Sequence, residues 1–269
     1  MMLSVQDLRV SFAREYGDPV EVIHGISVDL EKGETLGIVG ESGSGKSVLS
    51  LATMGLLPRT ARASGKILLD GEDILTMSER QLCRVRGRKI GMIFQEPMTA
   101  LNPSMRVGAQ IAEGLRLNRA LSRRDARAEA LRLLEMVQIP RAAERIDSFP
   151  HEMSGGQRQR VGIAIALALE PELLIADEPT TALDVTVQAE VLGILDELVS
   201  ELGISLVLIS HDLGVIARIA DRTLVMYRGD EMEQGETEQV LRRPSHEYTR
   251  KLISALPGRV RASLEMSDG

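Results

Sequence analysis

The chain has 269 residues, 43% of them hydrophobic, and a formal net charge of −7 from 32 Lys and Arg against 39 Asp and Glu. That is enough to bury one large domain, or a core with a subdomain, and it excludes a disordered chain or one whose overall charge gathers nucleic acid. Three Phe, three Tyr and no Trp leave little for stacking on bases, and the single cysteine, Cys83, excludes an internal disulfide and any multi-cysteine zinc or iron–sulfur site.

The opening "MMLSVQDLRV" has neither a basic nor an apolar leader, so no signal peptide is expected. "LSVQDLRVSF" and "VEVIHGISVDL" alternate apolar and polar residues, which predicts two half-buried antiparallel strands. "ETLGIVG" is a short apolar run ending in glycine, and "SVLSLATMGLL" has helical spacing, so together they predict a strand–loop–helix unit. "GKILLDGEDI" predicts a hairpin turning at Asp70-Gly71. From about 96 to 153 the pattern becomes helical, with Leu131, Leu134 and Val137 on one stripe, and Pro140 and Pro150 close that section. "ELLIAD", "ISLVLIS" and "DRTLVMY" are of strand length, the first two continuously apolar, as strands buried on both faces should be. Helical stretches between them predict a parallel α/β sheet. The longest unbroken apolar runs, such as "IAIALAL", fall far short of the roughly 20 residues of a spanning helix, so any membrane crossing is left to another chain. After about 241, "HEYTRKLISALPG" predicts one more helix and then a polar end.

"GESGSGKS" comprises Gly40, Glu41, Ser42, Gly43, Ser44, Gly45, Lys46 and Ser47, with Val48 following, and it matches G-x-x-x-x-G-K-[ST] in full. Its glycines let backbone N–H groups curl toward phosphate oxygens, and the helix that follows adds partial positive charge. Lys46 would reach the β- and γ-phosphates, and the Ser47 hydroxyl would ligate Mg2+. The plain alternative is a Gly/Ser connector, but a chance match in a chain this long is on the order of 1%. "LLIADEP" supplies carboxylates: Asp177 can hold Mg2+ through water, and Glu178 can polarise an attacking water. Alone, that pair reads more often as charge at a helix N-terminus; the phosphate loop reverses the reading toward catalysis. His211 follows "LVLIS", and an isolated histidine at a strand end is more often structural. Beside the phosphate-loop strand it would face the same crevice and contact the γ-phosphate. Gln95, ending "IGMIFQ", says nothing alone. In "HEMSGGQRQR", Ser154 reads as a helix N-cap that leaves the N–H groups of Gly155 and Gly156 bare, a second anion site. Two glycines there cost about 1 kcal/mol each against better helix formers, so a merely capped core helix does not explain them.

In order, "GESGSGKS", Gln95, "SGGQ" ending at Gln157, "LLIADE", Ala182-Leu183-Asp184 and His211 resemble the Walker A loop, Q-loop, signature, Walker B, D-loop and switch histidine of the ATP-binding cassette (ABC) ATPases. Met153 stands where that family most often has Leu. The resemblance covers most of the chain and implies an ABC-type P-loop NTPase. Its fold would be a RecA-like α/β core with a mixed, largely parallel sheet, an N-terminal antiparallel β subdomain and an α-helical subdomain. The implied layout is an ATPase domain over 1–257, with core and β subdomain at 1–95 and 154–240 and the helical subdomain at 96–153, then a short extension over 241–269. The implied ligands are ATP and Mg2+, with Ser47, Gln95 and Asp177 at the metal and Lys46, Gln95, Glu178 and His211 catalytic. An adenine-stacking aromatic is expected near the N-terminus, either Phe12 or Tyr16.

Such ATPases work as head-to-tail pairs, which implies that Ser154, Gly155, Gly156, Gln157 and Asp184 meet the other subunit's ATP. "FQEPMTALNPSMRVGAQIAEGL" and "HEYTRKLISALPG" further resemble the importer ATPases for oligopeptides, dipeptides and nickel. That group implies a peripheral protein on the cytoplasmic face of the bacterial inner membrane. Its partners would be an identical or paralogous ATPase, two transmembrane permease subunits and a periplasmic solute-binding protein, with no nucleic acid. Several members carry a cysteine-bearing C-terminal extension with an iron–sulfur cluster, which is not expected with Cys83 alone. An exporter ATPase, or a soluble ABC ATPase of DNA repair or translation, is the alternative; the soluble relatives carry coiled-coil or zinc inserts, or two cassettes. A P-loop kinase would leave "SGGQ" unexplained.

Overall fold

A computed structural model describes residues 1–95, 100–181 and 183–255. They form two compact units, one of Met1–Cys83 with the chain from Ser205 onward, the other of Arg84–Ile204. The second unit is wider than the helical section read from the sequence, because it also holds two strands and the helices that follow 153.

The first unit begins with β1 (Leu3–Phe12), β2 (Val20–Leu30), β3 (Thr35–Val39), α1 (Lys46–Thr53), β4 (Ala61–Leu69) and β5 (Glu72–Asp73). As predicted, β1 and β2 pair antiparallel, from Leu3↔Leu30 to Phe12↔Val20. The other edge of β1 pairs with β4, giving the order β2-β1-β4-β5. Along β1 the buried apolar residues are Leu3 and Val5, then Leu8 and Val10. The spacing slips by one residue at Gln6-Asp7, where a bulge puts Asp7 at φ 42° and restores the apolar phase. Asp70 and Gly71, both at positive φ, make the expected two-residue turn between Leu69 and Glu72.

Helix α2 (Glu79–Val85) leads into the second unit, which contains β6 (Ile90–Ile93), α3 (Val107–Arg119), α4 (Arg123–Met136), α5 (Ala142–Arg145), α6 (Gly155–Leu167), β7 (Leu173–Asp177) and α7 (Val185–Leu202). The helical section is real, but its stripe is corrected. Ala126, Ala130, Leu133, Leu134 and Val137 are buried while Leu131 is half-buried, because the face centres on 130, 133, 134 and 137. The opening residues of that section, 96–99, lie outside the described residues.

The chain returns to the first unit with β8 (Ser205–Ser210), α8 (Leu213–Ile219), β9 (Arg222–Tyr227), β10 (Asp230–Glu236), α9 (Thr237–Arg242) and α10 (Glu247–Ser254). Here β3 is flanked in parallel by β8 and β9, and β10 pairs antiparallel with β9. Every residue of β3, β7 and β8 is buried, which is why their sequences read as continuous apolar runs. The predicted polar end lies outside the described residues.

Candidate functional site

In the first unit, β3 ends at Val39 and α1 begins at Lys46, so the phosphate loop turns a buried strand directly into a helix. Gly43 and Gly45 sit at φ 79° and 99°, a region open to glycine at no cost, and a Cβ on Gly40 would collide with the Met226 carbonyl oxygen. Gly45 is the N-cap of α1 and makes no side-chain cap hydrogen bond, so the positive end of the helix opens directly at the loop. Lys46 is only 4% exposed. Its ammonium donates to the carbonyl oxygens of Gly40 (2.8 Å) and Glu41 (2.9 Å) and to Ser44 Oγ (3.4 Å), so the loop's own acceptors satisfy the charge. Those three bonds hold the loop curled in the shape that wraps a phosphate.

Strand β8 lies beside β3, with Ser210 opposite Val39. His211, exposed, therefore leaves the sheet at the same edge as Gly40, the neighbour relation on which its functional reading depended. Phe12 is half-buried at the last pair of β1, opposite Val20 and Ala61, and Tyr16 is 86% exposed between β1 and β2. Among the described residues, no hydrogen bond or ring contact joins either aromatic to the loop.

In the second unit, β6 and β7 are parallel with Ile93 opposite Ala176, which brings Gln95 and the Asp177-Glu178 pair to one strand edge. Asp177 is 5% exposed at the end of β7. Glu178 Oε2 accepts from Gln95 Nε2 (3.1 Å) and from Thr181 Oγ1 (2.9 Å). The Glu178 backbone is left-handed at φ 46°, a strained conformation for glutamate that aims the side chain away from the strand direction. Thr181 N–H donates to the Glu178 carbonyl (3.2 Å), and that turn carries the threonine hydroxyl back to the carboxylate.

Ser154 caps α6 as predicted: its Oγ accepts from Gln157 N–H (3.3 Å), while Gln157 Oε1 accepts from Ser154 N–H (3.1 Å). The account of the two glycines needs correction. A Cβ on Gly156 would collide with Val187 Cγ1, and one on Gly155 would lie 3.2 Å from Leu183 Cδ2. Gly156 is therefore required by the close approach of α6 to α7, whose start Asp184 caps by accepting from Val187 N–H (3.0 Å). Gly155 remains exposed. Gly156→Ala should lower stability by about 1–2 kcal/mol in urea unfolding, although alanine is the better helix former. A variant more stable than the parent would show that the contact with Val187 is not tight.

The match to the ABC transporter family spans residues 23–181, more than half of the chain and inclusive of the phosphate loop, the capped turn and the acidic strand end. The chain belongs to the ABC transporter family.

Over 258 residues this ABC chain is 50% identical to the oligopeptide transport ATP-binding protein OppD of Bacillus subtilis, covering 95% of itself and 72% of that relative. The dipeptide transport ATP-binding protein DppD of the same organism is 48% identical over 258 residues, 95% of this chain and 77% of the relative. Among solved structures, the ATP-binding cassette MJ0796, dimeric and in a post-hydrolysis state bound to ADP and Pi, superposes with a TM-score of 0.78 at 27% identity, covering 88% of this chain and 99% of that one. CbiO1 of Clostridium perfringens, part of the ABC transporter complex cbiONQ, gives 0.76 at 30% identity over 98% of this chain and 99% of that one. The expected ABC fold therefore stands. In this ABC chain Asp184 and His211 lie beyond the matched span, and Ala182 of the "ALD" triplet lies outside the described residues. Thr181 is the hydrogen-bonding neighbour of Glu178 that sequence reasoning missed; a hydroxyl three residues after Glu178 in "EPTT" was the available signal.

Proposed function

We propose that the chain is the ATP-hydrolysing subunit of a bacterial peptide importer. What carries the reading is its identity with oligopeptide and dipeptide transport ATP-binding proteins over nearly its whole length, combined with an intact set of hydrolytic side chains. Those relatives are named for peptides, which makes peptide the proposed cargo in preference to nickel. Lys46 and the first turn of α1 take the phosphates, releasing the loop carbonyls that now hold the lysine. Glu178, oriented by Gln95 and Thr181, polarises the attacking water, and His211, at the end of the strand beside the phosphate-loop strand, steadies the γ-phosphate. Ser47, Gln95 and Asp177 offer hydroxyl, amide and carboxylate oxygens, the hard donors that suit Mg2+. The ion would offset charge on the triphosphate.

Ser154, Gly155, Gly156, Gln157 and Asp184 serve the ATP of a second, identical or paralogous, ATPase subunit. Among the described residues no helix is long and apolar enough to cross a membrane. In this reading the translocation path belongs to two permease subunits, served by a solute-binding protein outside, with this chain docked on their cytoplasmic side. Leu117, 79% exposed on α3, is an apolar contact available to the permeases. Two measurements test this. Lys46→Ala should weaken ATP binding about 10- to 100-fold, the loss of a charge-assisted contact or two. Labelled-peptide uptake should disappear from source cells lacking the chain and return with the parent sequence; uptake that survives the deletion would overturn the assignment.

A further inference from the structure

Beyond the residues that meet the nucleotide, the phosphate loop is braced from its far side. Gly229 N–H, in the turn between β9 and β10, donates to the Ser44 carbonyl (3.1 Å), and the end of β9 is pressed so close to Gly40 that no side chain fits there. A third brace comes from the C-terminal helix. The hydroxyl of Tyr248 accepts from Glu41 N–H (3.3 Å), and the Tyr248 ring lies against Tyr227 with centroids 4.4 Å apart at 33°. Tyr227 is the last residue of β9, next to the Met226 carbonyl that abuts Gly40, so one aromatic pair links the helix to both the strand and the loop.

Helix α10 is itself firmly moored. The Glu233 carboxylate on β10 accepts from Ser245 N–H (2.7 Å), Ser245 Oγ (2.8 Å) and His246 N–H (3.1 Å), and His246 Nδ1 caps the helix at Tyr248 N–H (3.1 Å). Burial holds the Tyr248 phenol above its ordinary pKa, against the opposing hydrogen bond from Glu41, so the hydroxyl stays protonated at neutral pH. Tyr248 lies well outside the span matched to the family.

We propose that Tyr248 is a positioning residue for ATP binding: its hydroxyl fixes the entry of the phosphate loop, and through it the C-terminal helix sets nucleotide affinity. This rests on the reading of Gly40–Ser47 as the ATP site. An open cavity of ≈ 530 Å³, bounded by Glu41, Tyr227, Tyr248, Lys251 and Leu252, lies beside the contact. Removing the hydroxyl therefore exposes Glu41 N–H to water without stranding it, and the effect falls on loop geometry more than on folding.

The test uses the full chain and a fluorescent ATP analogue, with thermal unfolding and steady-state hydrolysis alongside. Tyr248→Phe keeps the ring on Tyr227 and should weaken nucleotide binding about 3- to 10-fold, the loss of one hydrogen bond. KM should rise by the same factor while kcat at saturating ATP and the unfolding temperature hold. Tyr248→Ala should weaken binding at least as much, and Phe should fail to restore the parent value. Parent-like affinity in Tyr248→Phe overturns the proposal, as does a fall in kcat without a change in KM. Lys46→Ala separates the two readings: if it binds ATP normally the site assignment itself falls, whatever Tyr248 does.

Discussion

Glu178→Gln is expected to lower the rate of ATP hydrolysis by about 10²- to 10⁴-fold, the range typical for loss of a general base, and to leave ATP affinity within about twofold of the parent. The substitution is close to isosteric, and the glutamine oxygen can accept the same two hydrogen bonds that Glu178 Oε2 takes from Gln95 and Thr181. The left-handed backbone at 178 tolerates glutamine no worse than glutamate, so the local turn persists. What disappears is the carboxylate's ability to accept a proton from water. Thr181→Val provides a graded companion: it removes one of the two donors while the carboxylate remains, so it should lower kcat by a smaller factor and leave KM alone. Unchanged turnover in Glu178→Gln would remove the glutamate from the chemistry and leave its strained backbone without a functional account.

Much of the fold was legible because its signals are local. Continuous apolar runs identified β3, β7 and β8, and Asp70-Gly71 marked a hairpin turn. The slip in β1 was also on the page, since the apolar positions jump by three from Val5 to Leu8, and a one-residue bulge is the means of keeping both halves facing the core. The phosphate loop was legible for a different reason: every residue it needs lies within one short stretch. The failures are contacts that no local pattern announces, near in sequence at Thr181 and distant elsewhere. Gly156 looked like a glycine set in place of a better helix former for the sake of ligand binding, but the atom that excludes a side chain belongs to Val187, thirty-one positions later. Tyr227 and Tyr248 carry no recognisable pattern in sequence, yet they meet at the phosphate loop. The sequence also does not show what holds Lys46 in place: the loop's carbonyls accept from it, because a buried ammonium must have acceptors whether or not a ligand is present.

Ser154→Asp should suppress hydrolysis by about 10²-fold while leaving ATP binding to the separate chain and its unfolding temperature almost unchanged. The reason lies in the two functions that meet at this serine. Its Oγ caps α6 and belongs to a reciprocal pair with Gln157, and that role alone would account for a serine here. Aspartate is as good a cap as serine, so it preserves the helix start and the contact of Gly156 with Val187. It also places a negative charge where the proposed shared site receives the γ-phosphate of a second subunit's ATP, and like charges brought together out of water repel by several kcal/mol. Ser154→Arg gives the complementary case, losing the cap at a cost of about 1 kcal/mol and filling the site with a bulky side chain. If Ser154 acts only as a cap, Asp behaves as the parent and Arg loses a little stability. If it acts on a partner's nucleotide, both variants lose ATP-driven dimerisation and hydrolysis, although their folding stabilities differ. Hydrolysis per chain in the parent should then rise with protein concentration until dimers saturate; a rate independent of concentration, with a fully active Ser154→Asp, would confine the whole active site to one chain.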